Sequence, residues 1–309
     1  PLEALRGLMH EAAPLRMGEG SDSNVIMIND VARAFFEAPA VRQICVDIPE
    51  EDLTAEDRRK DNVVHLRMSL YGTRDAAMNW QEEVAREMAK WGFKRGKSNP
   101  CLYWHPKWKV RTLVHGDDFV TVGTRETTTE FNKVLEKRFE IKTQVIGPKS
   151  TGDTSARAVS SGDKVPEVLQ EGRVLNRIVR CTNWGWELEP DQRHIDLIVK
   201  EIGLDDAKGV SSPGEPEKRW EEEENAMPLD EAMASRYRAI VARANYLASD
   251  TVDIMYSTKE VCRHMANPPV GAWKKLKRLG RYLQESPRTM IVYCLLYTSD
   301  AADEEDSVD

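Results

Sequence analysis

The chain has 309 residues, 40% apolar and 31% charged, with a formal net charge of −8, enough for one large domain or two small ones around a buried core. No apolar run approaches the roughly 20 residues of a membrane-spanning helix, so no membrane contact is expected, and the opening PLEALRGLMHEAAP lacks the basic start, apolar stretch and cleavage site of a signal peptide. Five scattered cysteines without a CxxC pair argue against a zinc knuckle or a disulfide framework and fit a reducing compartment; the start at Pro1 rather than Met is read as that of a fragment.

In chain order, residues 2–10 read as a helix, and NVIMIN (24–29) as a buried strand. The alternation of RQICVDI (42–48) predicts a half-buried strand, and 63–68 another. Ala77, Trp80, Val84 and Met88 give residues 74–90 helical spacing, with Gly92 just past the end. Residues 101–104 and 110–114 are predicted strands around the HPKWK turn, and 119–122 closes a hairpin with the second of them. A helix over 127–139 and a short strand over 140–143 follow, then a Gly/Ser/Thr/Pro-rich linker over 146–166. Strands over 174–181 and 184–188 form a second hairpin, and a helix over 192–202 ends at Gly203. After a connection over 211–225 come helices over 229–249, 252–265 and 270–284. Hairpin-joined strands imply an antiparallel sheet, hence α+β.

The sharpest chemical signal is LVHGDDFVTVG (113–123), with Asp117 and Asp118 at a hairpin tip. Their mutual repulsion calls for a cation, and oxygen ligands suit Mg²⁺; an ordinary exposed Asp-Asp turn is the plain alternative. Asp30 closes the apolar strand, where it could equally cap the segment that follows. Three carboxylates on neighbouring strand ends would form a two-metal site, with ions about 3.5–4 Å apart, for nucleotidyl transfer.

These blocks carry a family resemblance. NDVARAFFEAP (29–39), LRMSLYGTRDAAMNWQEEV (66–84), GFKRGKSNPCLYW (92–104) and LVHGDDFVTVG resemble the reverse transcriptase of copia-type LTR retrotransposons, and the resemblance continues over 237–283. It implies an RNA-directed DNA polymerase with a right-hand architecture: palm and partial fingers over 1–145, a variable linker with a primer-grip-like hairpin over 146–225, and a helical thumb over 226–293. It implies an RNA template, a DNA primer and dNTPs as partners, two Mg²⁺ ions (or Mn²⁺) as cofactors, and a location in a cytoplasmic retroelement particle or the nucleus. The protease, integrase and ribonuclease H modules of such a Pol polyprotein, and the basic finger strands that hold the triphosphate, are expected outside this chain, so residues 1–293 alone should extend a primer poorly.

Carried over by position, Asp30, Asp117 and Asp118 are the catalytic metal ligands, and Phe35 is an aromatic gate under the sugar, with core packing as the alternative. Tyr71 and Gly72 fall near the incoming nucleotide. Arg74 is a candidate template or phosphate contact, or a solvated first-turn residue. Trp184 is a candidate primer contact, although core is the favoured reading for it and for Trp186. Lys274, Arg278 and Arg281 form an i, i+4, i+7 stripe suited to a duplex backbone. His115-Gly116, Arg33 and Glu37 depart from the family's blocks.

Residues 257–293 carry eight Lys/Arg against two acids, whereas the last sixteen residues carry six acids and no Lys or Arg. CLLYTSDAADE (294–304) resembles a translated sequencing adaptor, so 294–309 is expected to be a non-native tail; a genuine acidic tail is the alternative. Two other functions compete. One is an RNA-dependent RNA polymerase, where Gly-Asp-Asp is common but a second Asp is expected near Phe35. The other is an inactive remnant that only binds nucleic acid. A hydrolase has no GxSxG or HExxH to stand on.

Overall fold

The computed structural model describes residues 2–13, 23–148, 167–204, 207–215, 227–286 and 288–294. Its contacts gather into two units, one holding residues 1–172, 181–186 and 293–309, the other 173–180 and 187–292.

The first unit is built on a seven-stranded sheet. In chain order its strands are β1 (Asn24–Val31), β4 (Lys94–Arg95), β5 (Leu102–His105), β6 (Val110–His115), β7 (Asp118–Thr124), β8 (Ile141–Ile146) and β9 (Val168–Leu169), and their spatial order is β4-β5-β6-β7-β1-β8-β9. The described pairings are antiparallel except at the edge, where β8 and β9 run parallel. The all-antiparallel expectation is corrected there: β9 arrives after the long 149–166 stretch, which frees it from hairpin geometry. Alternation sorts the sheet's two faces. Val25, Met27, Val31, Phe119 and Val145 point to one face and pack against α3 (Ala76–Lys90) and α4 (Arg125–Arg138) through Trp80, Val84, Met88, Phe131 and Leu135. The other face carries Arg111, which pairs at 3.0 Å with Glu11 of α1 (Leu2–Ala12).

Several predicted elements shift. The strands expected over 42–48 and 63–68 shrink to β2 (Cys45–Asp47) and β3 (Val63–His65), a separate two-stranded ribbon whose strands are joined through the short helix α2 (Ala55–Lys60). Val63 and Val64 stay exposed there. In α3 the buried alanine is Ala76, and Ala77 is exposed; Ala76, Trp80 and Val84 keep strict i, i+4 spacing on one face. The strand expected over 174–181 is broken at Leu175-Asn176, both at positive φ, into β10 (Glu171–Val174) and β11 (Arg177–Thr182). Two successive positive-φ residues make a two-residue hairpin turn, which the apolar side chain of Leu175 disguised.

β10, β11, β12 (Gly185–Glu189) and β13 (Ile291–Tyr293) form a four-stranded sheet in that order. The second unit's helices are α5 (Arg193–Ile202), α6 (Glu231–Ala248), α7 (Met255–Cys262) and α8 (Val270–Glu285). Gly203 ends α5 at φ 75°, a left-handed cap natural to glycine. Ile198, Tyr237, Ile240, Leu276 and Leu279 share one core. Most of the 252–265 helix survives as α7, preceded by a 3-10 turn over Val252–Ile254. No described helix is long and apolar enough to cross a membrane.

Residues 295–309 lie outside the described residues, as do 149–166 and 216–226. Truncation after Tyr293 is expected to leave the thermal midpoint unchanged; a drop of several degrees would show that 294–309 belongs to the fold.

Candidate active site

The hairpin between β6 and β7 sets the site. His115 pairs with Asp118 across the ladder, leaving Gly116-Asp117 as a two-residue turn. Gly116 has φ 63°, and a Cβ there would meet nothing within 4 Å. The glycine is needed for its backbone conformation, the one a II′ hairpin demands of its first central residue. Two bonds pin the turn. The Trp80 indole N–H donates to the Gly116 carbonyl at 2.7 Å, and the Val31 amide donates to the Asp117 carbonyl at 3.0 Å.

Asp30 lies opposite Asp118 in the β1–β7 register. Directly opposed residues share a face, and the tight turn brings Asp117 to the same place. Carboxylate oxygens of Asp30, Asp117 and Asp118 all lie within 4.8 Å of one another. Burial, then Asp117, then Asp30 push the Asp118 carboxyl above its ordinary value of 3.8, and His115 pulls the other way. Three hard oxygen donors crowded at this range fit a divalent cation.

The same register places Lys142 of β8 opposite Asp30. His115, Asp118, Asp30 and Lys142 thus form one cross-strand row over β6, β7, β1 and β8. Lys142 escaped the sequence reading, because strand register was its only signal. Beneath Asp30, buried Asn29 donates to Asn132 Oδ1 at 2.8 Å and to Thr143 Oγ1 at 2.9 Å, tying β1 to α4 and β8.

The raised Asp118 pKa has a consequence for stability. The folded protein holds this proton more tightly than the unfolded chain, so the group's contribution falls as pH rises above about 3.8 through the folded value. Without metal, Asp118→Asn should therefore raise the thermal midpoint at pH 7 and lose that advantage toward pH 3. Mg²⁺ should stabilise the parent more than the variant. Equal midpoints for parent and variant at pH 7 would mean that the carboxylates do not strain the fold.

Phe35 sits in a 3-10 turn (Ala34–Glu37) just after β1. Its half-buried ring stacks on Tyr71 at 4.4 Å between centroids, and Phe36 meets Tyr71 edge-on at 5.4 Å. Gly72 has φ 90°, and the Thr73 amide donates to the Leu70 carbonyl at 3.1 Å, a type II turn with glycine where it is required. Asn79 holds this loop through Ser69 Oγ at 3.0 Å and Asp75 at 3.3 Å. A hydrogen bond from Arg42 holds the Asp75 carboxyl down at about 2. Arg74 is exposed.

The two tryptophans of the 184–186 segment part company. Trp186 is fully buried and donates its indole N–H to the Ala12 carbonyl at 3.0 Å, whereas Trp184 is 62% exposed. Core packing is thus corrected for Trp184, which occupies the turn before β12. In the second unit, two members of the basic stripe on α8 serve the fold. Arg278 donates to Ser212 Oγ at 2.8 Å and pairs with Glu215, and Arg281 donates to the Lys208 carbonyl at 2.6 Å. These guanidinium groups anchor residues 208–215, a role that the i, i+4, i+7 spacing does not show. Lys274 is exposed.

Residues 19–151 match the family model described as reverse transcriptase (RNA-dependent DNA polymerase). The retrovirus-related Pol polyprotein from transposon RE2 of Arabidopsis thaliana is 23% identical over 260 residues, covering 84% of this chain and 16% of its own length. That from transposon RE1 of the same plant is 25% identical over 262 residues, with the same two coverages. That from transposon TNT 1-94 of Nicotiana tabacum is 23% identical over 266 residues, covering 82% of this chain and 18% of its own length. The chain thus spans less than a fifth of the length of these relatives.

Proposed function

Taking the reverse transcriptase domain of residues 19–151 as the premise, we propose that this chain is the palm-bearing part of an RNA-directed DNA polymerase from a retrotransposon Pol polyprotein. The observation that carries this reading is the convergence of Asp30, Asp117 and Asp118 within 4.8 Å at one end of the sheet. In the reaction, the primer 3′-oxygen forms a bond to the α-phosphorus of a dNTP, the bond from that phosphorus to pyrophosphate breaks, and the hydroxyl proton passes to solvent. Mg²⁺ ions held by the three carboxylates would supply the positive charge that such a transfer needs at the attacking and leaving oxygens. The chain's own contribution is preorganisation. The pinned Gly116-Asp117 turn and the β1–β7 register hold the carboxylates together before any substrate arrives.

Phe35, stacked on Tyr71, is placed in this reading beneath the nucleotide sugar, where a ring leaves no room for a 2′-hydroxyl. Tyr71 and Gly72 border the incoming nucleotide, Arg74 and Trp184 contact nucleic acid, and Lys274 adds positive charge on α8. The remaining Pol modules, ribonuclease H and integrase among them, would act from elsewhere in the polyprotein. A primer-extension assay on an RNA template tests the reading, with dNTPs and rNTPs offered in turn and Mg²⁺ or Mn²⁺ present. Phe35→Val is expected to raise rNTP use relative to dNTP by roughly tenfold or more, as removal of a steric block in a specificity pocket does. An unchanged ratio would reduce Phe35 to packing, and robust rNTP use by the parent would favour an RNA polymerase.

A further inference from the structure

The turn that carries Phe35 is held from outside at both ends: Arg33 bonds Glu140 at 2.9 Å at its start, and Arg138 grips Glu37 at its end. Arg138, at the end of α4, donates to the Glu37 carboxylate at 2.6 Å, to the Glu37 carbonyl at 3.2 Å and to Glu83 at 3.0 Å. Its Nε lies 3.9 Å from Glu87, and its guanidinium lies over the Phe139 ring at 4.5 Å. Glu83 and Glu87 are buried on α3, and each also has a cation from its own helix, Arg86 and Lys90 respectively. Arg138 is the member of this cluster that reaches Glu37.

Two features make that contact matter for the site. Arg33 enters the turn at φ 54°, a left-handed conformation that a bulky residue keeps only when its surroundings hold it there. The Ala38 amide, which closes the turn, donates to the Phe35 carbonyl at 3.2 Å, so Glu37 lies inside the loop that orients the Phe35 ring. A guanidinium grasping both the carboxylate and the carbonyl of Glu37 fixes the turn's position and direction at once, which a point charge cannot do.

We propose that Arg138 is a positioning residue for sugar selection: by clamping Glu37 it holds Phe35 against Tyr71 and so sets the preference for deoxyribonucleotides over ribonucleotides. The proposal rests on reading Phe35 as the ring beneath the sugar.

The test follows the Tyr71 signal on the full 309-residue chain and nucleotide binding on a longer polypeptide that carries the triphosphate-holding strands, and it needs no turnover. Tyrosine-ring resonances are followed by NMR, with Phe35→Leu identifying the Tyr71 signal, and binding of dATP and ATP is compared with Ca²⁺ present. Arg138→Gln and Glu37→Gln are both expected to shift the Tyr71 signal toward that of an unstacked ring. Both should lower the dATP-to-ATP affinity ratio about threefold or more, a part of what losing a charge-assisted hydrogen bond costs. Arg138→Lys keeps the charge and should restore thermal stability without restoring the ratio. Glu37→Gln leaves the buried glutamates paired, so it remains decisive if Arg138→Gln fails to fold. An unmoved Tyr71 signal in Glu37→Gln, or a ratio fully restored by Arg138→Lys, overturns the proposal. A shifted signal with an unchanged ratio also overturns it. A parent chain that binds dATP and ATP alike counts instead against the Phe35 reading, and the proposal falls with it.

Discussion

On the proposed reading, Asp117→Asn is expected to abolish primer extension by a polypeptide that contains this chain, lowering the rate by at least on the order of 10²–10³-fold. The argument is one of charge rather than shape. Asn is isosteric with Asp, and the Asp117 carbonyl that accepts from Val31 belongs to the backbone and survives the change. What disappears is one of three negative charges gathered within 4.8 Å, and with it the field that attracts a divalent cation. Fold and activity should therefore separate. Extension is lost, the midpoint of thermal unfolding is kept or raised because repulsion has been relieved, and Mn²⁺ binding measured by calorimetry on the chain itself weakens. The polypeptide for this assay should be longer than the chain, which spans less than a fifth of the length of its relatives. Undiminished extension by Asp117→Asn would mean that the metal ligands have been assigned to the wrong residues.

Trp80→Ala should produce the largest loss of stability in the first unit. Trp80 is among its largest fully buried side chains, and its ring packs edge-on to Phe139 at 5.4 Å. Truncating a buried tryptophan to alanine costs about 3–5 kcal/mol, to which the lost N–H donor to Gly116 adds about 0.5–1.5 kcal/mol. Trp80→Phe separates the two effects. It keeps most of the packing, deletes the donor and should cost less, yet it still loosens the turn that carries Asp117. Urea unfolding gives the stabilities, and Mn²⁺ titration reports on the turn. A cost below about 1 kcal/mol for Trp80→Ala would show that α3 is not anchored through this ring.

The parts of this architecture that could be read from sequence are those written in short-range pattern. The β1 strand, the β6–β7 hairpin and the long helices announce themselves by periodicity and by glycines such as Gly92 and Gly203 at helix ends. The acidic cluster was legible because its members sit at strand ends beside a Gly-Asp turn. What escaped depends on tertiary choice. Leu175-Asn176 turns the chain although one of the pair is apolar. Arg278 and Arg281 look like free surface cations until the 208–215 segment is seen to accept their hydrogen bonds. Arg138 and Lys142 carry no motif at all; strand register and helix packing alone bring them to the site.

The cross-strand row of His115, Asp118, Asp30 and Lys142 also ties the acidic cluster to folding fidelity. Side chains alternate across a sheet, so sliding β7 by a single residue would drive Asp118 into the apolar layer under α3 and α4 and expose Phe119 in its place. A misaligned hairpin would therefore pay for a buried, unpaired charge as well as losing the acidic cluster. The aspartate proofreads its own strand. Substitutions within residues 110–124 should consequently be tolerated far better than the insertion or deletion of a single codon there, and variants that differ in length rather than in residue should fail first as folds.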